Sequence, residues 1–385
     1  MGQIRVETIP VRDLLSFAQN AEKDQERYEV LPITEIKALS HTKNPAASPD
    51  DIGLLVAYYG EKCVGYLGIL PCLLWHKRKL SKVYALSTYF VHESFRRKLV
   101  AITIMADLIK LGYDFFITGL SPIGENFFRS NKQWFKPAGS LSYLHIHVLP
   151  TSSVLWELNN LLNQTGGIFS SFLSLNRRFA DAGGWKFFYQ LLQPSAHNIC
   201  GEIEARAVCE IHAPEGKNTT TPGESQTHFY RDEKIVNWMI RYPWITEDSN
   251  IKLNYYFSYQ RELFRFLPFE LYARQSGKRL GYVVFNITKK RGLKLLKILD
   301  YALYDKTYLP FILWLALKEA SRWKAELIVV PQKLWPYIRS HILLNLLTVH
   351  RERVYFLHKN SKKSPLPEQL QNICLDYCDS DSAFT

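Results

Sequence analysis

The sequence predicts a mixed α/β (α+β) fold built from two related domains in tandem. Apolar strand-like runs alternate with helix-period runs along most of the chain, the pattern of helices laid on a sheet. Ala57, Lys62, Gly65 and Tyr66 recur at a constant offset as Ala273, Lys278, Gly281 and Tyr282, each set within a strand, turn, strand pattern. The 385 residues, 47% apolar and 22% charged, are enough for two cores of ordinary globular composition.

The elements follow in order. Leu54 to Tyr59, a Gly60-Glu61-Lys62 turn and Val64 to Leu70 read as a tight antiparallel hairpin, and Val83 to Val91 as a third strand. Leu99 to Leu111 carries Val100, Ile104, Leu108 and Leu111 at near-helical spacing and is stopped by Gly112. Tyr113 to Gly119 then reads as a buried strand, Pro122 to Phe135 as a helix and Ser140 to Val148 as a closing strand. Thr151 to Leu192 reads as a helical connector broken at Gly166-Gly167, and Pro214 to Gln226 as an exposed loop. In the second half Leu293 to Leu303 is strand-like, Leu309 to Trp323 helical, Ala325 to Val330 an apolar run ending at Pro331, and Gln332 to Leu347 helical again.

The junction between the third strand and its helix is the most telling segment. Val91-His92-Glu93-Ser94-Phe95-Arg96-Arg97-Lys98-Leu99-Val100-Ala101 places three consecutive cations at a helix start, where unpaired N–H groups and the positive dipole end favour phosphate. From His76 to Ala101 there are seven Lys or Arg against one acid, Glu93, within a chain of net charge +12. Such a field suits a phosphorylated small molecule. A nucleic-acid module is not expected, because the aromatic residues fall at core periodicity and not beside the cations.

These residues resemble the cofactor loop of the GNAT superfamily of acyl-CoA N-acyltransferases, roughly V-x-P-x-[YF]-[RQ]-x-x-G-x-[GA]. Val91, Phe95, Arg96 and Ala101 match, Glu93 stands at the proline position and Leu99 at a glycine position. The phrase Glu125-Asn126 to Trp134-Phe135-Lys136-Pro137 is similar to the family's closing motif. Tyr230-Arg231-Asp232 to Pro243, and Asp379-Ser380-Asp381, are similar to tandem GNAT proteins of bacterial polysaccharide clusters.

The resemblance implies two GNAT-like domains, each a mixed, mostly antiparallel twisted sheet flanked by helices. Their expected extents are 1–150, with a degenerate acyl-CoA loop, and 200–385, without a cofactor loop, joined by the connector 151–199. It also implies that the third strand splays from its neighbour and frees a backbone N–H at Phe90 or Val91 for a thioester carbonyl. Arg96, Arg97, Lys98, Leu99, Val100 and Ala101 would bind the cofactor, acetyl-CoA or another acyl-CoA, with no metal. Some relatives carry a strand glutamate where this chain has Ala85. His92, Glu93 and Tyr89 are then the candidate bases, His92 first, because imidazole is neutral near pH 7. The family's tyrosine acid aligns with Ser130, leaving Tyr143 or Tyr113 as substitutes.

No apolar run approaches the ~18 residues a membrane span needs, and no leader pattern opens the chain, so a cytoplasmic protein is expected. Cys63, Cys72, Cys200 and Cys209 read as small strand residues, Cys374 and Cys378 as a free surface pair, and His145 with His147 as the exposed face of an edge strand. The expected function is N-acyl transfer to a small or sugar-linked amine, with the oligomeric state open. A catalytically degenerate scaffold and a tRNA-dependent aminoacyl transferase are the alternatives.

Overall fold

Gly60, at φ +62°, turns the chain between β2 (Ile52–Tyr59) and β3 (Lys62–His76), a left-handed conformation that costs glycine nothing. This hairpin opens the sheet of the first of two units into which the structure, a computed structural model, divides. The residues described are 3–24, 27–28, 30–131, 134–148, 201–214, 226–290, 292–360, 373–376 and 379. Their fold is mixed α+β with mostly antiparallel strand pairing.

The first unit comprises Met1–Leu141, Pro222–Arg261 and Arg353–Thr385. Its strands are ordered β1 (Ile4–Pro10), β2, β3, β4 (Lys79–Val91), β5 (Phe115–Ile117) and the end of β13 (Thr348–His358), with the short β8 (His228–Phe229) paired to the far part of β3. All neighbours are antiparallel except β4 and β5, which run parallel. Alternation along β2 and β3, interrupted by a bulge at Val64, leaves Leu55, Val64 and Leu67 on one face, against Val100, Ile104 and Leu108 of α3 (Val100–Lys110). The other face, with Leu54, Val56 and Tyr66, is covered by α1 (Leu14–Lys23) and by Ala38 of α2 (Glu35–Thr42). Thr34 caps α2 by accepting from the Lys37 N–H.

The second unit, Ser142–Thr221 and Glu262–Glu352, is ordered as the end of β6 (Lys136–His147), β12 (Leu327–Pro331), β11 (Leu293–Leu303), β10 (Arg279–Lys290), β9 (Phe264–Ala273) and β7 (Ile203–Ala207). A long helix, Leu309–Trp323, packs Phe311, Ile312, Leu315 and Ala316 into a core with Ile298, Ile328 and Val330. The recurring residues mark a structural repeat. Each unit runs hairpin, strand, short 3-10 turn, helix, and a strand parallel to the first, as β2 to β5 and as β9 to β12.

Several boundaries differ from expectation. Residues 222–261 and 353–385, expected in the C-terminal domain, belong to the first unit, because the end of β13 pairs with β5 and the Trp238 indole donates to the Ser40 carbonyl. The helix expected over Pro122 to Phe135 ends at Ser130, where the Asn131 side chain donates to the Phe127 carbonyl, and β6 starts early at Lys136. Gln332 to Leu347 is a 3-10 turn and two short helices, Trp335–Arg339 and Ile342–Leu346, with Pro336 starting the first and His341 capping the second. Cys209 is exposed outside any strand, and Cys374 forms a β-bridge with His228. The connector 151–199, Cys200, Cys378 and most of the Pro214 to Gln226 loop lie outside the described residues.

Gly68 on β3 has no room for a side chain, since a Cβ would stand 2.7 Å from the Ser87 carbonyl oxygen and 3.0 Å from Thr88 Oγ1. Gly68→Ala is therefore expected to destabilise the protein by about 2 kcal/mol through overpacking. Urea unfolding of the variant measures it, and an unchanged midpoint would show that β3 and β4 sit farther apart.

Candidate functional site

The site is built on the way β4 leaves its neighbours. Its parallel pairing with β5 covers Tyr84 and Ala85 and goes no further among the described residues, so Leu86 to Val91 have an open edge. On the other edge β4 stays on β3, with one irregularity. Between the pairs Gly68–Ser87 and Tyr66–Phe90, Leu67 faces two residues, Thr88 and Tyr89, which is a β-bulge. Thr88 holds φ +54°, an outlier for a β-branched side chain.

The bulge decides which amide faces the open edge. The His92 N–H donates to the Val64 carbonyl at 2.9 Å, so His92 points toward β3. Strand alternation then turns the Val91 N–H and carbonyl away from β3. The carbonyl accepts from Arg96 Nε at 3.3 Å on that side.

After Val91 the chain makes a 3-10 turn over Glu93–Lys98, and α3 starts only at Val100. The cations therefore precede the helix and do not form its first turn. Leu99 is the N-cap, left-handed at φ +62°, with its side chain 63% exposed and making no cap bond. Its carbonyl accepts from the Thr103 N–H, so the amides of Val100, Ala101 and Ile102 have no acceptor within the helix. Arg96 and Glu93 form an exposed ion pair at 3.7 Å, worth little in water. The Lys98 ammonium sits 4.2 Å from the Tyr59 ring centroid, and Arg97 is exposed.

The expected catalytic residues are scattered. His92 is partly buried at the end of β4, 6.0 Å from the Phe95 ring, with a buried Nδ1 that has no hydrogen-bond partner. Glu93 is exposed in the turn, and Ser130 is exposed at the far end of its helix. Tyr143 belongs to the second unit, opposite Pro331 on β12. Tyr113 stacks on Tyr84 at 4.1 Å, where burial and then the Asp51 charge raise its hydroxyl pKa. Tyr89 is also raised, by burial, and donates to the Ala101 carbonyl at 3.1 Å. Ala85, in the glutamate position, is the last β4 residue paired with β5.

Behind the bulge lies a cluster that the sequence reading missed. Lys37, 2% exposed, donates to Ser87 Oγ at 2.8 Å and Thr88 Oγ1 at 3.1 Å, with its ammonium 4.9 Å from the Trp244 ring. His41, one turn on, is fully buried at 5.4 Å from Trp244. The signal was a lysine and a histidine four apart on the buried stripe of a short helix. Beside Phe90, Tyr255, Tyr256 and Phe257 form an aromatic wall, Tyr256 lying 4.4 Å from Phe90 and 63% exposed.

The second unit's junction lacks this equipment. β11 pairs with β12 only at Leu295 to Lys297, but Asp305 caps the following 3-10 turn through the Thr307 N–H, and Pro310 occupies the helix start. His145 and His147 are not an exposed edge: β6 pairs with β12 through both residues, and His147 is 3% exposed. Among the described residues no group of His, Cys, Asp or Glu could hold a metal. A separate, mostly apolar pocket in the first unit is lined by Leu70, Cys72, Phe229 and Trp238 and by the ion-paired Arg231 and Asp379. Arg231 and Asp379, one from each of the two phrases marked in the sequence, thus meet in space.

No protein-family model matches the chain, and a comparison with curated proteins finds no match. Solved structures do match over nearly its whole length. A GCN5-related N-acetyltransferase from Anabaena variabilis aligns at 10% identity and a TM-score of 0.49, covering 93% of this chain and 73% of that one. A probable N-acyltransferase from Enterococcus faecalis aligns at 11% identity and 0.46, covering 92% and 71%. Saccharomyces cerevisiae N-myristoyltransferase with bound myristoyl-CoA aligns at 11% identity and 0.44, covering 97% and 87%. The likeness is one of fold. Among the described residues no helix is long and apolar enough to cross a membrane.

Buried histidines give the protein a pH signature. Burial, then the Lys37 charge, lowers His41 well below its usual range, while burial and nearby cations push His145 down to about 3. His147 falls to about 4, by burial and then by His145 and Arg351. Unfolded histidines take up protons near pH 6.5 and the folded ones do not, so stability is full above that pH and falls as pH drops toward the folded values. Each such group is expected to add a slope of up to about 1.4 kcal/mol per pH unit in that window. Urea midpoints at pH 7.5 and 5.0 measure the slope, and His41→Gln is expected to flatten it.

Proposed function

We propose that the first unit transfers an acyl group from acyl-CoA to an amine. The observation that carries this reading is the open edge of β4 running directly into a cationic turn and an uncapped helix start. One surface thus offers a slot for an extended pantetheine arm, an unpaired amide for a carbonyl, and donors for a pyrophosphate.

In this reading the Val91 N–H, more than that of Phe90, binds the thioester oxygen. The amides of Val100 and Ala101, with Arg96, Arg97 and Lys98, hold the phosphates. The amine nitrogen attacks the carbonyl carbon, the C–S bond breaks, and the sulfur leaves as thiolate. His92 takes the amine proton, and water protonates the thiolate, a good leaving group that needs no strong acid. The wall of Tyr255, Tyr256 and Phe257 suits an acceptor with a flat apolar face, such as an amino sugar.

Thermal shift with acetyl-CoA and longer acyl-CoAs tests the reading, because ligand at 100 times its dissociation constant stabilises by about 2.7 kcal/mol. Calorimetry is expected to give one CoA per chain, given Asp305 and Pro310 at the second junction. Arg96→Ala with Arg97→Ala is expected to weaken binding about tenfold or more without unfolding the protein. Leu99→Gly, which removes a side chain from a left-handed position, is expected to stabilise the fold by about 0.5 to 1 kcal/mol and to tighten acyl-CoA binding. A protein that no acyl-CoA stabilises would be a GNAT-fold scaffold.

A further inference from the structure

We infer that Lys37 is a positioning residue for the Val91 amide, holding Ser87 and Thr88 in the bulge that turns that amide to the open edge of β4. This rests on the acyl-transfer reading for its use, though not for its geometry.

The bulge is under backbone strain. Thr88 sits at φ +54°, where a β-branched residue persists only if its surroundings compel it. Two features compel it. Gly68, bare of a side chain, lets the Ser87 carbonyl and the Thr88 hydroxyl close on β3. From the opposite element, the ammonium of Lys37 takes both neighbouring hydroxyls, at 2.8 and 3.1 Å. Consecutive residues of a regular strand point to opposite faces, so one ammonium reaches both only because the bulge turns them the same way.

Lys37 is itself fixed. Its backbone N–H is bound by the Thr34 cap, its ammonium lies 4.9 Å from the Trp244 ring, and His41 beside it stays neutral. Without this strut Thr88 is free to relax to negative φ. Losing the extra residue slips Tyr89 to Val91 by one register position, and a one-residue slip turns each residue to the other face and edge. The Val91 N–H would then point at β3. A lysine 50 positions before Ser87 thereby sets the direction of an amide it does not touch.

The test compares acetyl-CoA with CoA itself, which has no thioester carbonyl, by calorimetry. Lys37→Met is expected to lose about fivefold to tenfold in acetyl-CoA affinity, the worth of about one hydrogen bond, with CoA affinity unchanged. Thr88→Gly, which accepts positive φ without strain, is expected to bind both within threefold of the original, and Lys37→Met in the Thr88→Gly background to recover the acetyl-CoA preference. Lys37→Arg, which still donates to two hydroxyls, is expected to keep it. An undiminished preference in Lys37→Met, or no recovery in the double variant, overturns the inference. If Lys37→Met does not fold alone, the Thr88→Gly background decides. If the original protein binds neither ligand, the acyl-transfer reading has failed, and the strut is judged from unfolding: Lys37→Met must destabilise Thr88→Gly less than it does the original protein, and equal losses overturn it.

Discussion

The end of pairing between β4 and β5 after Ala85 is the constraint on which the candidate site depends. A sheet interior has no vacant amides, because unpaired buried backbone groups are expensive. An edge opened inside a sheet must therefore be walled, stiffened and filled. The bulge at Thr88 aims it, Gly68 makes room for the bulge, and α3 begins where the strand's direction delivers the chain. Even Arg96 has a double duty, since it takes the Val91 carbonyl while remaining one of three cations around the turn.

The two units show what separates a fold from a site. Both have the hairpin, the parallel crossover and a short stretch of parallel pairing before the strands part. In the second unit the junction satisfies itself, with Asp305 supplying the capping acceptor and Pro310 removing a donor. In the first, Leu99 caps nothing. A helix start left unsatisfied at the mouth of an open edge is what the proposed acyl-CoA site would use.

Much of this was legible in the sequence, for definite reasons. Leu293 to Leu303 and the helix Leu309 to Trp323 are long, strongly patterned elements and stand as read, and the first hairpin stands with its second strand running on past Leu70 to His76. The Arg96-Arg97-Lys98 turn was visible because composition and position coincide. Helix ends set by a side chain bonding its own backbone, as at Asn131 and His341, leave little trace in apolar periodicity. The pairing of β6 was beyond reach, since two histidines two apart look the same at an edge or inside a sheet. Lys37 escaped for a similar reason: a lysine in a short helix reads as solvated until β4 is seen behind it.

The first unit is assembled from three stretches of chain, the last beginning at Arg353. The end of β13 lies beside β5, the Asn360 N–H donates to Asp114, and Arg231 pairs with Asp379 across 148 positions. During synthesis, β1 to β5 leave the ribosome long before any of these partners exists. The exposed flank of β5 must wait, as an unpaired edge of buried-type residues, until Phe356 to His358 have emerged. The unit that holds the candidate site is therefore the first to be made and among the last to be completed, so a chain truncated before residue 353 would carry every residue of the loop and lack the strand that closes its sheet.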